Sequence, residues 1–178
     1  MMKNSRSAIA LLTRSLDAIG LNASGSSDVT TMTLHQGQPV IHNRTTKAVA
    51  DQPFPGYHAS LSENGKVVGV VVGARRVALD SADLGLLSQI LKPDGYDSTA
   101  GDQFMLMTTL VFEFGENNSI TALGSSVIAV AGNALPDVGT SLVRPIVGGT
   151  GKYKFANGQL TSTHNADGSY TQVLEFKN

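Results

Sequence analysis

The 178-residue chain contains no cysteine, which removes disulfides, thiolate nucleophiles and cysteine-built zinc or iron–sulfur sites together. Charge is scarce too: Asp, Glu, Lys and Arg make up 15% of the residues, and the net charge is −1. Nucleic-acid binding draws on clustered cations that displace condensed counterions, and the longest basic run here is Arg75-Arg76. No nucleic-acid partner is expected. No window approaches the roughly 20 apolar residues of a membrane-spanning helix, so no membrane partner is expected either. Lys3 and Arg6 precede an apolar stretch, but Thr13 and Arg14 end it after Leu12, short of the roughly 7–15 apolar residues of a secretory core. The expected setting is cytoplasmic.

What is present suits a globular protein. Hydrophobic residues make up 41% of the chain, and the length fits one domain with a sizeable core. Over Ser5–Ile19, apolar residues at positions 8, 9, 12, 16 and 19 repeat with the period of a helix. Asn4 or Ser5 is placed to cap its start and Gly20 to end it. Such a helix either packs outside the domain, or plugs a barrel mouth or joins an oligomer interface. Asn22 to Asp28 is a small-residue linker, so residues 1–28 stand apart from a domain over 29–178.

From Val29 the period changes to two. Strands are expected over Val29–Gln36, Val40–Ala48, Tyr57–Ser62, Lys66–Leu79, Phe104–Phe114, Ser119–Val130, Leu142–Val147, Lys152–His164 and Ser169–Phe176. Turn signals separate several of them, as at Glu63-Asn64-Gly65 and Asn165-Ala166-Asp167-Gly168. Many strands with short turns predict an all-β fold. Their length favours a closed antiparallel barrel of eight strands or slightly more, because closure removes exposed edges. Residues 80–103 interrupt this pattern with a helical insertion, Ser81 as cap and Ala82–Leu91 as helix, ended by Lys92-Pro93-Asp94-Gly95. It is either a tolerated insertion or a lid or interface element. Leu84, Leu87, Ile90 and Leu91 need burial in both cases.

Three stretches in order carry a family resemblance. Arg144–Gly158 (RPIVGGTGKYKFANG) resembles the VVGGTGKFRxARG signature of plant dirigent proteins and the ITGGAGIFEGAYG stretch of allene oxide cyclases. Leu110–Phe114 with Asn117–Gly124 is similar to a second dirigent pattern, and Gly65–Gly73 to a strand with two glycines four apart found in both families. The glycines at 148, 149 and 151 are read as a turn between strands, where positive φ and close backbone approach are needed. They are not a phosphate loop, because Ile146 and Tyr153 occupy positions where such a loop needs glycine and Ser or Thr.

The resemblance implies a barrel of the allene oxide cyclase/dirigent kind that holds a hydrophobic small molecule, in a homotrimer. The reaction does not transfer with it. His58-Ala59 stands where dirigents carry an acidic pair, Ala59 where the cyclases carry asparagine, and Arg75 where they carry cysteine.

Alternation along Lys66–Leu79 offers a view of the lumen. If the two glycines face inward, so do Val67, Val71, Arg75 and Val77. Arg75 either stabilises an enolate or carboxylate of a substrate, or ends its strand in solvent or beside Asp80. Glu113 faces opposite to Phe112 and Phe114: either the aromatics line the cavity, or Glu113 points inward as an acid or partner for Arg75. Tyr57, Tyr153 and Tyr170 can present a phenol while burying a ring. His35 and His58 suit proton transfer, and His164, beside a turn, is expected in solvent. No metal spacing and no nucleophile elbow occurs.

The expected function is a small-molecule cyclase or isomerase without a cofactor, acting by holding one reactive conformer of an apolar intermediate. Candidate catalytic residues are Arg75, Glu113 and Tyr57. Candidate substrate-binding residues are His35, Val71, Phe112, Phe114, Tyr153 and Tyr170. The alternatives are a non-catalytic carrier with the same cavity, and a structural trimer with a filled barrel. Inward polar residues gathered at one depth would favour the enzyme, and apolar filling throughout would favour the structural trimer.

Overall fold

The computed structural model describes residues 28–41, 53–90, 103–129 and 136–178. The expected N-terminal helix and most of the expected strand Val40–Ala48 lie outside the described residues. The elements are β1 (Thr30–Gln36), β2 (Val40–Ile41), β3 (Pro53–Glu63), β4 (Lys66–Leu79), α1 (Ser81–Leu87), β5 (Gln103–Glu113), β6 (Ser119–Ala129), β7 (Ser141–Thr150), β8 (Asn157–His164) and β9 (Tyr170–Lys177). Every pairing is antiparallel. The sheet runs β1-β9-β8-β7-β6-β5-β4-β3-β2 and closes through β1–β3, giving an eight-stranded barrel with β2 as the extra strand. The closing seam is short, His35 opposite Ser62 and Gln36 opposite Leu61. The short strand β2 continues it along β3, with Val40 opposite His58. Among the described residues no helix is long and apolar enough to cross a membrane.

Turn chemistry fixes the register of the β3–β4 hairpin. Asn64 and Gly65 both have positive φ (51° and 77°), the two-residue turn whose twist matches the flanking strands. The 80–103 insertion does start as a helix, but its cap is Asp80, whose carboxylate accepts from the amides of Ala82 and Asp83 at 3.0 and 3.1 Å. One short α1 follows, packed on β4 and β5. Among the described residues there, Leu84 alone is fully buried and Ile90 is 88% exposed, while Leu91 lies outside them.

Two other readings are corrected by the backbone. The glycine run does not form an open turn: Gly148 and Gly149 lie within β7, and only Gly151 of the three has positive φ. Close approach is the operative demand at Gly149, where a Cβ would meet the carbonyl oxygens of Tyr153 and Ser119. A 3-10 turn over Gly151–Tyr153 precedes β8, so that strand starts at Asn157 and not at Lys152. The second correction concerns Val67. Leu61 pairs with Gly69 but Ser62 with Val67, so Val68 is an extra residue in a bulge. The slip leaves Val67 68% exposed and turns Val68 toward the core.

The lumen has two storeys. At the end bearing the β3–β4 and β5–β6 hairpins it is filled by Leu34, Leu61, Val71, Phe112, Ile120, Leu160, Leu174 and Phe176, each at most 1% exposed. Tyr153 closes this end, its ring 5.1 Å from that of Phe114 and edge-on to Phe176 at 5.8 Å. Phe112→Ala is expected to lower unfolding free energy by about 3–5 kcal/mol, the transfer term plus an unfilled cavity. Val67→Ala should stay within about 0.5 kcal/mol. Chemical denaturation of both variants checks the pair.

Candidate functional site

The other storey is polar. It is reached by following the inward face of each strand past the apolar layer. On β3 Tyr57 follows Ala59 and Leu61; on β4 Arg75 follows Val71 and Gly73; on β7 Arg144 follows Ile146. Thr108 on β5, Ser126 on β6, Ser162 on β8, and Tyr170 and Gln172 on β9 complete the ring, with Leu106, Leu110, Pro136 and Leu142 as apolar wall. Among the described residues these enclose a small cavity of about 30 Å³. It opens at the end where β1, β4, β6 and β8 finish.

Glycine on a neighbouring strand makes room for two of the large side chains. Tyr57 pairs with Gly73, and a Cβ on Gly73 would run into the tyrosine ring. With the ring laid across that gap, the Arg75 guanidinium carbon sits 5.0 Å from its centroid, within cation–π range. On the far wall a Cβ on Gly124 would come within 2.8 Å of Arg144 Cγ. The β6–β7 ladder ends one step earlier, at Ala122 opposite Ile146.

Hydrogen bonding sets the floor. Ser162 Oγ donates to Gln172 Oε1 at 2.6 Å, and Gln172 Nε2 donates to Gln36 Oε1 at 2.7 Å. Gln36, wholly buried, keeps its Nε2 without a partner. His164 is buried, not in solvent as expected beside its turn: its ring stacks on Tyr170 at 4.8 Å and its Nδ1 lies 2.6 Å from the Pro136 carbonyl.

Burial dominates the electrostatics. It pushes the Tyr57 phenol up, partly offset by the positive charges of Arg75 and Arg144. It pushes Tyr170 up to about 12, with Arg75 again opposing. Arg144 is lowered, first by burial, with the like charge of Arg75 adding to the effect and the two phenols opposing it. Both phenols are therefore proton donors at neutral pH. Among the described residues lining the cavity there is no carboxylate.

Of the residues singled out from the sequence, Tyr57, Arg75 and Tyr170 come together around this cavity. Val71, Phe112 and Tyr153 lie in the filled storey, and Phe114 packs half-buried against it. Glu113 and His35 are exposed on the outer face, as is His58. Glu113 shares that face with Val70, its partner across the ladder, so it cannot reach Arg75. His35 alternates with inward Leu34 and Gln36. Asp80 is engaged as a helix cap. Arg144, Gln172, Gln36, Ser162 and Thr108 were not anticipated, yet each is a polar residue in phase with buried apolar ones: Arg144 with Ile146, Gln172 with Leu174, Gln36 with Leu34.

The raised phenols predict an alkaline signature. Unfolded tyrosine ionises near 10, so above about pH 10 the folded state binds more protons than the unfolded one. Stability held by Tyr57 and Tyr170 is then present below about pH 10 and is lost as pH rises toward their folded values. In an absorbance titration of the four tyrosines, two should ionise late. Tyr57→Phe and Tyr170→Phe should each remove one late step.

No family model and no curated protein matches this chain. Solved structures do. A pyocyanin demethylase is 21% identical, with 82% of this chain and 99% of that one covered, at a TM-score of 0.52. An exo-specific intermolecular Diels–Alderase is 13% identical, covering 85% and 99% at 0.51. A nonspecific heme-binding cyclase that catalyses a 4 + 2 cycloaddition during neoabyssomicin biosynthesis is 16% identical, covering 99% and 84% at 0.53. At these identities the likeness is one of fold: this chain builds the kind of barrel found in Diels–Alderase cyclases.

Proposed function

We propose that the protein is a small-molecule cyclase or isomerase that takes a conjugated, largely apolar biosynthetic intermediate into the open storey and steers its ring closure. The observation that carries this reading is the gathering of Tyr57, Arg75, Arg144, Tyr170 and Gln172 at one depth, above an apolar floor. A barrel serving only as scaffold has no use for buried cations and phenols at that level, since each is costly to desolvate. Cyclase activity in proteins with this barrel adds support.

The chemistry follows from the protonated phenol. Tyr57 O–H donates to a carbonyl conjugated with the reacting carbons, and the adjacent Arg75 cation strengthens the donor. Electron density is drawn toward the carbonyl oxygen, so the conjugated system becomes a better acceptor for the partner carbons that close the ring. No proton needs to leave the enzyme and no cofactor enters the scheme. Leu106, Leu110 and Leu142 fold the chain so that the reacting ends meet.

A carrier without catalysis would use the same cavity, and the two readings separate by experiment. Native mass spectrometry of protein from its own host should reveal a bound apolar small molecule to use as substrate. Tyr57→Phe and Arg75→Met should then slow ring closure by about 10²–10³-fold, with a smaller loss of affinity. An unchanged product ratio and rate with and without protein would leave only the carrier.

Assembly as a homotrimer belongs to the same proposal. Val70 and Val72 on β4, Met107 on β5 and Leu123 on β6 are exposed on one stretch of outer sheet, and an apolar patch of this kind suits contact between copies. Val72→Glu should reduce the sedimenting species to monomer while leaving the circular dichroism spectrum intact.

A further inference from the structure

Among the described residues, none supplies a counter-charge to the Arg144 guanidinium. The side chain is 5% exposed, and its Nε is buried without a hydrogen-bond partner. The ionisable groups that act on it are Tyr57 and Tyr170, both phenols, and Arg75, a second cation. None is an anion at neutral pH. A buried guanidinium normally meets a carboxylate with matched geometry, because uncompensated burial of charge is strongly unfavourable. Here the fold makes room for the side chain through Gly124 and aims it into the cavity, yet provides no acid among the lining residues.

The geometry points to Arg144 as the seat of an organic oxyanion: the cavity's ligand carries a planar delocalised acid, a carboxylate or an enolised 1,3-dicarbonyl, that docks on this guanidinium. This rests on the reading of the barrel as ligand-filled and narrows its substrate to acids. Planarity matters because the guanidinium fork pairs two donors with two coplanar oxygens. The anion also explains the wall opposite. With the acidic end fixed on Arg144, the conjugated body extends past Leu142 and Leu106 toward Tyr57 and Arg75, so one cation anchors and the other polarises.

The test uses the full chain with 2-naphthoate and its methyl ester as probes, measured by calorimetry at pH 7. The acid should bind about 10–100-fold more tightly than the ester, the worth of one charged hydrogen-bonded pair. Arg144→Met should erase that preference while leaving the ester's affinity unchanged, and Arg144→Lys should keep part of it. Without ligand, Arg144→Met should melt no lower than wild type, since an uncompensated charge is removed. A lower melting temperature would make Arg144 a structural support and overturn the assignment. Equal binding of acid and ester by wild type sinks the oxyanion seat and leaves the ligand-filled barrel standing, a comparison that needs no variant to fold. Binding of neither probe, nor of naphthalene itself, would bring down both readings.

Discussion

An eight-stranded barrel has a lumen just wide enough to be filled by side chains or to hold one small ligand, and every inward position must answer to that width. In this protein the answer changes halfway along the axis. One half is closed by Phe112, Phe176 and Tyr153 with their aliphatic neighbours. The other half is built from long polar side chains that reach across the lumen and meet near its centre. A filled half gives the barrel its stability, and that stability allows the open half to hold groups that weaken it.

The electrostatic cost of the open half is concentrated on two guanidinium groups. Arg75 is half-buried and spreads its charge over the face of Tyr57. Arg144 is more deeply buried and has only phenols beside it. Burial holds those phenols in their protonated form, so they bring no negative charge to Arg144 at neutral pH. The result is a positive, donor-rich space with no internal acid among the described lining residues. Such a space repels cations and gives little to a hydrocarbon, but it stabilises negative charge as it accumulates on oxygen. In the proposed function, ground-state anchoring and polarisation during ring closure would both draw on that property, from opposite walls.

Much of the fold was legible because period two survives along most strands. The expected bounds of β4 coincide with the observed ones, β5 is shifted by one residue at both ends, and β6 agrees as far as Ala129, where the described stretch stops. Alternation also brought Arg75 forward, and phenol chemistry brought Tyr57 and Tyr170. It failed where the backbone breaks phase: one extra residue at Val68 exposes Val67, which strict alternation turned inward. The N-cap was misplaced by one residue because Asp80 and Ser81 are both good caps, and only the hydrogen bonds decide between them. Arg144 was hidden by its company. It begins a glycine-rich signature that draws the eye to turn geometry, although its phase with Ile146 already placed it inside. His164 was assigned to solvent by its neighbouring turn, whereas stacking on Tyr170 keeps it buried.

Large side chains at this site exist only because specific neighbours are small. Gly73 gives up its Cβ to the ring of Tyr57, and Gly124 gives up its own to the stem of Arg144. Alanine at either position would not simply subtract a contact. It would displace a functional group by the width of a methyl, in a lumen with no slack to absorb the shift. Gly124 stands one step beyond the last paired residues of β6 and β7, so the ladder stops where the arginine must cross. The next β7 residue beyond Ile146 is Pro145, which has no N–H to donate to the ladder. The open ladder, the missing Cβ and the inward arginine are therefore one feature. The shape of this lumen is set as much by where side chains are absent as by where they are placed.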